Sequence, residues 1–139
     1  MNLTNLERQH RNIMEEIDLI EKEIMKDTDA INPSEAALHI SRLAGQLKIH
    51  LREEDESLYP NLKNSNDTGI KNMVDQYISE MGNLASEYIG FKNKFNIASK
   101  IKENREGFQI EGKIIIAALK KRIEKEDCGL YHLIKERNL

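Results

Sequence analysis

The chain has 139 residues, a net charge of -3 and 32% charged residues, against 5% aromatics, two prolines and seven glycines. That is enough for one domain with a real core, in a composition that favours long helices over a sandwich or barrel. The charge balance gives no general pull towards nucleic acid or an anionic membrane surface. No run of about 18 apolar residues offers a membrane span, and no apolar N-terminal segment reads as a secretory signal. The single cysteine, Cys128, excludes an internal disulfide and fits a reducing compartment. The expectation is a cytoplasmic protein that binds neither nucleic acid nor membrane.

The first helix is predicted from Thr4, where Thr4 and Glu7 have capping-box spacing. Leu3, Leu6, Ile13, Ile17, Ile20 and Ile24 recur in steps of three, four or seven, and the missing member of that stripe is His10. The segment from Lys26 to Ile31 breaks the helix. A second helix opens at Asn32-Pro33-Ser34-Glu35, with Asn32 as N-cap and Pro33 in the first position. Its inward stripe is Ala36, Ile40, Leu43, Leu47, His50 and Glu54. Pro60 and the polar run Asn64 to Asp67 are expected to end it. A third helix starts near Thr68, with Ile70, Met73, Val74, Tyr77, Met81, Leu84, Tyr88 and Phe95 inward. Residues Asn96 to Asn104 read as a connection. A fourth helix runs from about Asn104 to Lys135, with Ile115, Leu119, Arg122 and Glu126 on one face. Four amphipathic helices on short connections predict an all-α, antiparallel up-down four-helix bundle, one domain over residues 1–139.

His50 and Glu54 are one turn apart on one helix face. An imidazole and a carboxylate so placed can hold a divalent cation between them. That spacing alone is common in a Glu-rich chain, but here it is echoed. A shift of 72 positions carries Glu54 onto Glu126, Asp55 onto Asp127, Leu58 onto Leu130 and Tyr59 onto Tyr131, while His50 lands on Arg122. A shift of 71 carries His10 onto Met81. The chain thus reads as two halves related by a pseudo-twofold axis, the second without its histidines.

The run His50, Glu54, Asp55, Leu58, Tyr59, Pro60, together with His10 and the order of the helices, resembles the hemerythrin-like family in its HHE cation-binding form. The resemblance covers nearly the whole chain. It implies a four-helix bundle whose halves each supply a lone histidine and an H-x-x-x-E pair to a non-haem di-iron centre. By that resemblance His10, His50, Glu54 and Glu126 stand at ligand positions, while Met81 and Arg122 stand where the family has histidine. The remaining histidines, His39 and His132, lie too far along the chain to complete the set. His39 is about 16 Å from His50 on a helix rising about 1.5 Å per residue.

Two readings follow. In the first, His10, His50 and Glu54, helped by Glu126, hold one iron or another divalent metal, and the open positions take a small ligand such as dioxygen or nitric oxide. The role is then sensing or metal handling, among the uses known in the family. In the second, no metal binds, and Arg122 forks to Glu54 and Glu126 in a metal-free interaction or scaffold module, with a homodimer as one form. The two can coexist, one metal in the first half and Arg122 in place of the second. Blander roles stand beside these. His10 can be a hydrogen-bonded core histidine, Met81 a filler of the space a histidine left, and Arg122 a surface residue. Tyr77 or Tyr88 could reach the pocket, but core packing is the ordinary role for both. His39 pairs with Glu111 on the repeat. Nothing marks Cys128 as reactive. No nucleophile–base pair or phosphate-binding glycine loop suggests an enzyme.

Overall fold

The computed structural model describes residues 2–139. Its long helices are α1 (Thr4–Ile24), α2 (Pro33–Glu53), α4 (Thr68–Phe95) and α6 (Arg105–Lys125). Three short helices, α3 (Tyr59–Lys63), α5 (Ala98–Glu103) and α7 (His132–Glu136), complete the set. Among the described residues there is no strand, and no helix is long and apolar enough to cross a membrane. α1 packs on α2 and α6, and α4 packs on the same two, so the four long helices close a ring as an antiparallel bundle.

The helix ends follow from local chemistry. Asn32 accepts from the amide of Glu35, with Pro33 in the first turn, as predicted for α2. Asp67 caps α4 through the amides of Gly69 and Ile70, and Asn104 caps α6 through that of Gly107. The start of α1 differs from expectation. The Thr4 side chain caps nothing; Asn2 accepts the Thr4 amide, and Glu7 pairs with Lys135 instead. The segment from Asn96 to Asn104 is not a bare connection but folds as α5, because Ile101 is fully buried there.

Pro60 does not end the second helix either. After Glu53 the chain passes through one π turn, Glu54–Leu58, in which the Tyr59 amide reaches back to the Glu54 carbonyl. It then continues as α3 until Asn64. The fourth helix does the same: a π turn spans Glu126–Tyr131 between α6 and α7. These widened turns sit at equivalent places in the two halves, each opening on a carboxylate. Single π turns inside α-helices gather at functional sites, because the extra residue re-aims the side chains that follow.

A polar layer divides the core. One apolar cluster includes Ile13, Leu43, Met81, Phe95, Phe108 and Leu119. The other includes Leu6, Leu58, Tyr59, Val74, Tyr77 and Leu130. Along α1 the order is Leu6, His10, Ile13; along α6 and its π turn it is Leu119, Arg122, Glu126, Leu130. His10, His50, Glu54, Arg122 and Glu126 are all buried between these apolar walls.

Candidate metal centre

His10 on α1, His50 on α2, Glu54 at the head of the first π turn and Glu126 at the head of the second meet in that layer, none more than 2% exposed. His10 Nε2 and His50 Nε2 are 3.0 Å apart. Glu126 Oε2 lies 3.3 Å from the first and 3.7 Å from the second. Glu54 Oε1 lies 3.2 Å from His50 Nε2. Donors bonded to one ion at about 2.1 Å, with bond angles of about 90–109°, stand about 3.0–3.4 Å from one another. His10, His50 and Glu126 form a trio with one ligand atom from each within 4.8 Å of the others, the spacing of a shared coordination sphere, and Glu54 joins it beside His50.

Each imidazole is fixed from behind. His10 Nδ1 donates to Asp127 Oδ1 at 2.7 Å, and His50 Nδ1 donates to Gln9 Oε1 at 2.8 Å. Both Nε2 atoms are thereby turned into the site with lone pairs free, the arrangement that metal-ligating histidines use. Glu54 Oε1 and both oxygens of Glu126 are buried without a hydrogen-bond partner among the described residues. Orphaned carboxylate oxygens inside a protein are costly. Glu126 Oε1 faces Arg122 Nε, but Glu54 Oε1 and Glu126 Oε2 face the two imidazole Nε2 atoms, where a cation satisfies them, so the residues present fit a bound metal.

Burial lowers the pKa of His50, but the carboxylates of Glu126 and Glu54 close beside it outweigh this and raise the value to about 9. Burial and then the charge of Glu126 push Glu54 up to about 7. Glu126 is held well below the usual carboxylate range; its burial is overcome by the imidazoles of His10 and His50 close beside it. Without metal, then, Glu126 carries the negative charge and protons on His50 and Glu54 stand in for the cation. The folded state holds these two protons more tightly than the unfolded chain. Their stabilisation is complete below the ordinary values of 4.5 and 6.5 and is lost as pH rises through about 7 for Glu54 and about 9 for His50. Metal must displace the same protons, so its affinity changes in the opposite sense. Metal titrations at rising pH are expected to show affinity climbing up to about tenfold per pH unit between about 7 and 9. A flat profile would mean that His50 carries no proton to lose.

The second half is filled differently. Arg122 points inward, 5% exposed. It does not fork to Glu54 and Glu126 as the sequence suggested. Nη1 donates to Glu80 at 2.8 Å and Nη2 to the Tyr77 carbonyl at 2.9 Å. Its guanidinium carbon stands 4.2 Å over the Tyr77 ring, and only Nε approaches Glu126, at 3.4 Å. The repeat explains the choice. Glu80 is the counterpart of Gln9 by the same shift of 71 that relates Met81 to His10, so Arg122 and Glu80 replace the pair His50 and Gln9. Met81, 2% exposed, packs in the apolar core.

Tyr77 and Tyr88 take the core-packing role expected of them: they donate to the carbonyls of Lys125 and Ile40, at 3.0 and 2.6 Å, and neither serves the site. The tyrosines of the motif and its echo do approach it. Tyr131 Oη is 3.2 Å from Glu54 Oε2 and 3.3 Å from His10 Nε2, and Tyr59 Oη is buried without a partner. The shift of 72 relates the two, a signal the sequence contained. Asp127 and Gln9 were missed as supports because their role depends on geometry across helices. His39 pairs with Glu16 at 2.6 Å and with Glu35, not with Glu111, whose carboxylate binds Lys94. His132 is exposed and pairs with Glu136.

Gly129 lies inside the second π turn, where a Cβ would stand 2.8 Å from Tyr77 Oη. Gly129→Ala is expected to push that hydroxyl off the Lys125 carbonyl and destabilise the fold by about 1–2 kcal/mol, despite alanine's better helix propensity. Urea denaturation measures this, and a stabilised variant would show that the turn has room to spare.

A bundle with a buried cluster of two histidines and two carboxylates between its helices belongs to the class of helical cation-binding domains. The family model described as "Hemerythrin HHE cation binding domain" matches residues 1–134, and the chain belongs to that family. No curated protein and no solved structure matches it.

Proposed function

We propose that the chain holds one non-haem iron, or another divalent metal, through His10, His50, Glu54 and Glu126, with Arg122 in place of a second ion. The observation that carries this is the convergence of two oriented Nε2 atoms on two orphaned carboxylate oxygens, Glu54 Oε1 and Glu126 Oε2, all inside an apolar shell. Bound there, iron would supply open positions for a small ligand such as dioxygen or nitric oxide. The protein's own residues hold the imidazoles in one tautomer, keep bulk water out and set the charge. One buried guanidinium in the second half leaves no donor set for another ion, so the role is small-ligand sensing or metal handling rather than two-iron oxygen carriage.

Elemental analysis of protein purified without a metal-affinity tag is expected to give about one metal per chain. No metal, even after anaerobic loading with iron(II), would replace this reading with a metal-free interaction module, which the seated Arg122–Glu80 pair would then define. The combined variant Met81→His, Arg122→His, Glu80→Gln is expected to move the stoichiometry towards two. An unchanged value would show that the two halves are not equivalent in geometry.

A further inference from the structure

We infer that Tyr131 is a fifth protein ligand of this site, binding the ion through its phenolic oxygen and so fitting the site to iron(III). The inference rests on the cation-site reading above and adds the oxidation state that the site favours. Its ground is position. Tyr131 Oη keeps 3.2 Å from Glu54 Oε2 and 3.3 Å from His10 Nε2, close to the 3.3 Å between His10 and Glu126 and the 3.2 Å between His50 and Glu54 Oε1. The oxygen stands where a ligand atom would stand.

The backbone produces this placement. Glu126 and Tyr131 are five residues apart across a π turn, whose wider pitch brings side chains at that spacing onto one face. In an unbroken α-helix they would diverge. The ring then stacks on His10, with centroids 4.9 Å apart and planes 14° from parallel, and the residue is 1% exposed. It has no room to swing away.

The hydroxyl donates only a long hydrogen bond, to a ligand of the site itself, Glu54 Oε2 at 3.2 Å. An O–H donor held by a carboxylate sits at about 2.5–2.7 Å, and the contact to Glu54 is well beyond that. Tyr88, by contrast, holds a carbonyl at 2.6 Å. Tyr59, the counterpart of Tyr131, has the charge of Arg122 near it and serves as the natural control. Phenolate oxygen is a hard, anionic donor. With two carboxylates beside it, the set suits a small trivalent ion better than a soft one. On ligation the phenolic O–H bond breaks, an oxygen–iron bond forms and the proton passes to solvent. No electron moves when the metal is supplied as iron(III).

The test is to load the metal-free protein with ferric citrate and record its visible and resonance Raman spectra. A phenolate-to-iron(III) charge-transfer band is expected, with phenolate ring modes enhanced on excitation within it. Tyr131→Phe is expected to lose both while still binding one cobalt(II) per chain through the remaining four residues. Tyr59→Phe, Tyr77→Phe and Tyr88→Phe are expected to keep them, which assigns the ligand by elimination even where Tyr131→Phe folds poorly. Iron(III) bound without the band, or a band that survives in Tyr131→Phe, overturns the inference and leaves the cation site standing. Failure of the wild-type protein to bind either cobalt(II) or iron(III) overturns both.

Discussion

Arg122→Ala is expected to destabilise the metal-free protein by about 3 kcal/mol, near the lower end of what breaking a buried ion pair costs. Arg122 is 5% exposed, yet its partner Glu80 is 42% exposed and also holds Lys125 at 2.9 Å, so the carboxylate survives the loss. The damage lies inside. The Tyr77 ring loses its cation, Glu126 loses the positive charge nearest its Oε1, and the guanidinium leaves a cavity beside Tyr77. The midpoint of urea unfolding should fall with an unchanged slope. Glu80→Gln, removing the solvent-side partner, should cost about 1 kcal/mol or less. Arg122→Met should recover part of the loss by refilling the volume. A shift within about 0.5 kcal/mol for Arg122→Ala would mean that the inward guanidinium contributes no net stability.

His50→Ala should have the larger effect when metal is present. The imidazole supplies one of two nitrogen donors and is 0% exposed. With metal at about a hundred times its dissociation constant, the wild-type protein gains about 2.7 kcal/mol and the variant gains nothing. In chelator, the variant should still lose about 2–4 kcal/mol to the cavity and to the stranded Gln9 oxygen. The signature is therefore the difference between the two conditions, read as the metal-induced rise in melting temperature. If the variant loses the same stability with and without chelator, His50 is a packing residue and the cation reading fails.

Much of this was legible in the chain because helical periodicity is a local signal. The stripe Leu6, His10, Ile13, Ile17 places a histidine among core positions without any knowledge of the partner helices. The echo of Glu54, Leu58 and Tyr59 in Glu126, Leu130 and Tyr131 announces a second half. What stayed hidden depends on contacts between helices or on the phase of the helix itself. A π turn adds one residue per turn and leaves no compositional mark, so Pro60 read as a terminator. The partners of Arg122 were misassigned because its nearest carboxylates along its own helix and in the motif were Glu126 and Glu54. The carboxylate within reach of its Nη1 is instead on α4. Asp127, adjacent to the ligand Glu126, was readable only as half of a repeat; its bond to His10 joins the end of the chain to its beginning.

The exchange of His50 and Gln9 for Arg122 and Glu80 behaves as a ratchet. In the first half an imidazole, which can give up its proton, meets a neutral amide; in the second a fixed positive charge meets a negative one. Glutamine at position 80 alone takes the carboxylate from Arg122 Nη1 and leaves the guanidinium with the Tyr77 carbonyl and Glu126. Histidine at 122 alone leaves the space of a longer side chain empty beside Tyr77. Each single step back towards a two-ion centre is therefore uphill, and the full gain requires a third change at Met81. If the site holds one ion, as proposed, it is the stability of this core that keeps the second half from taking another.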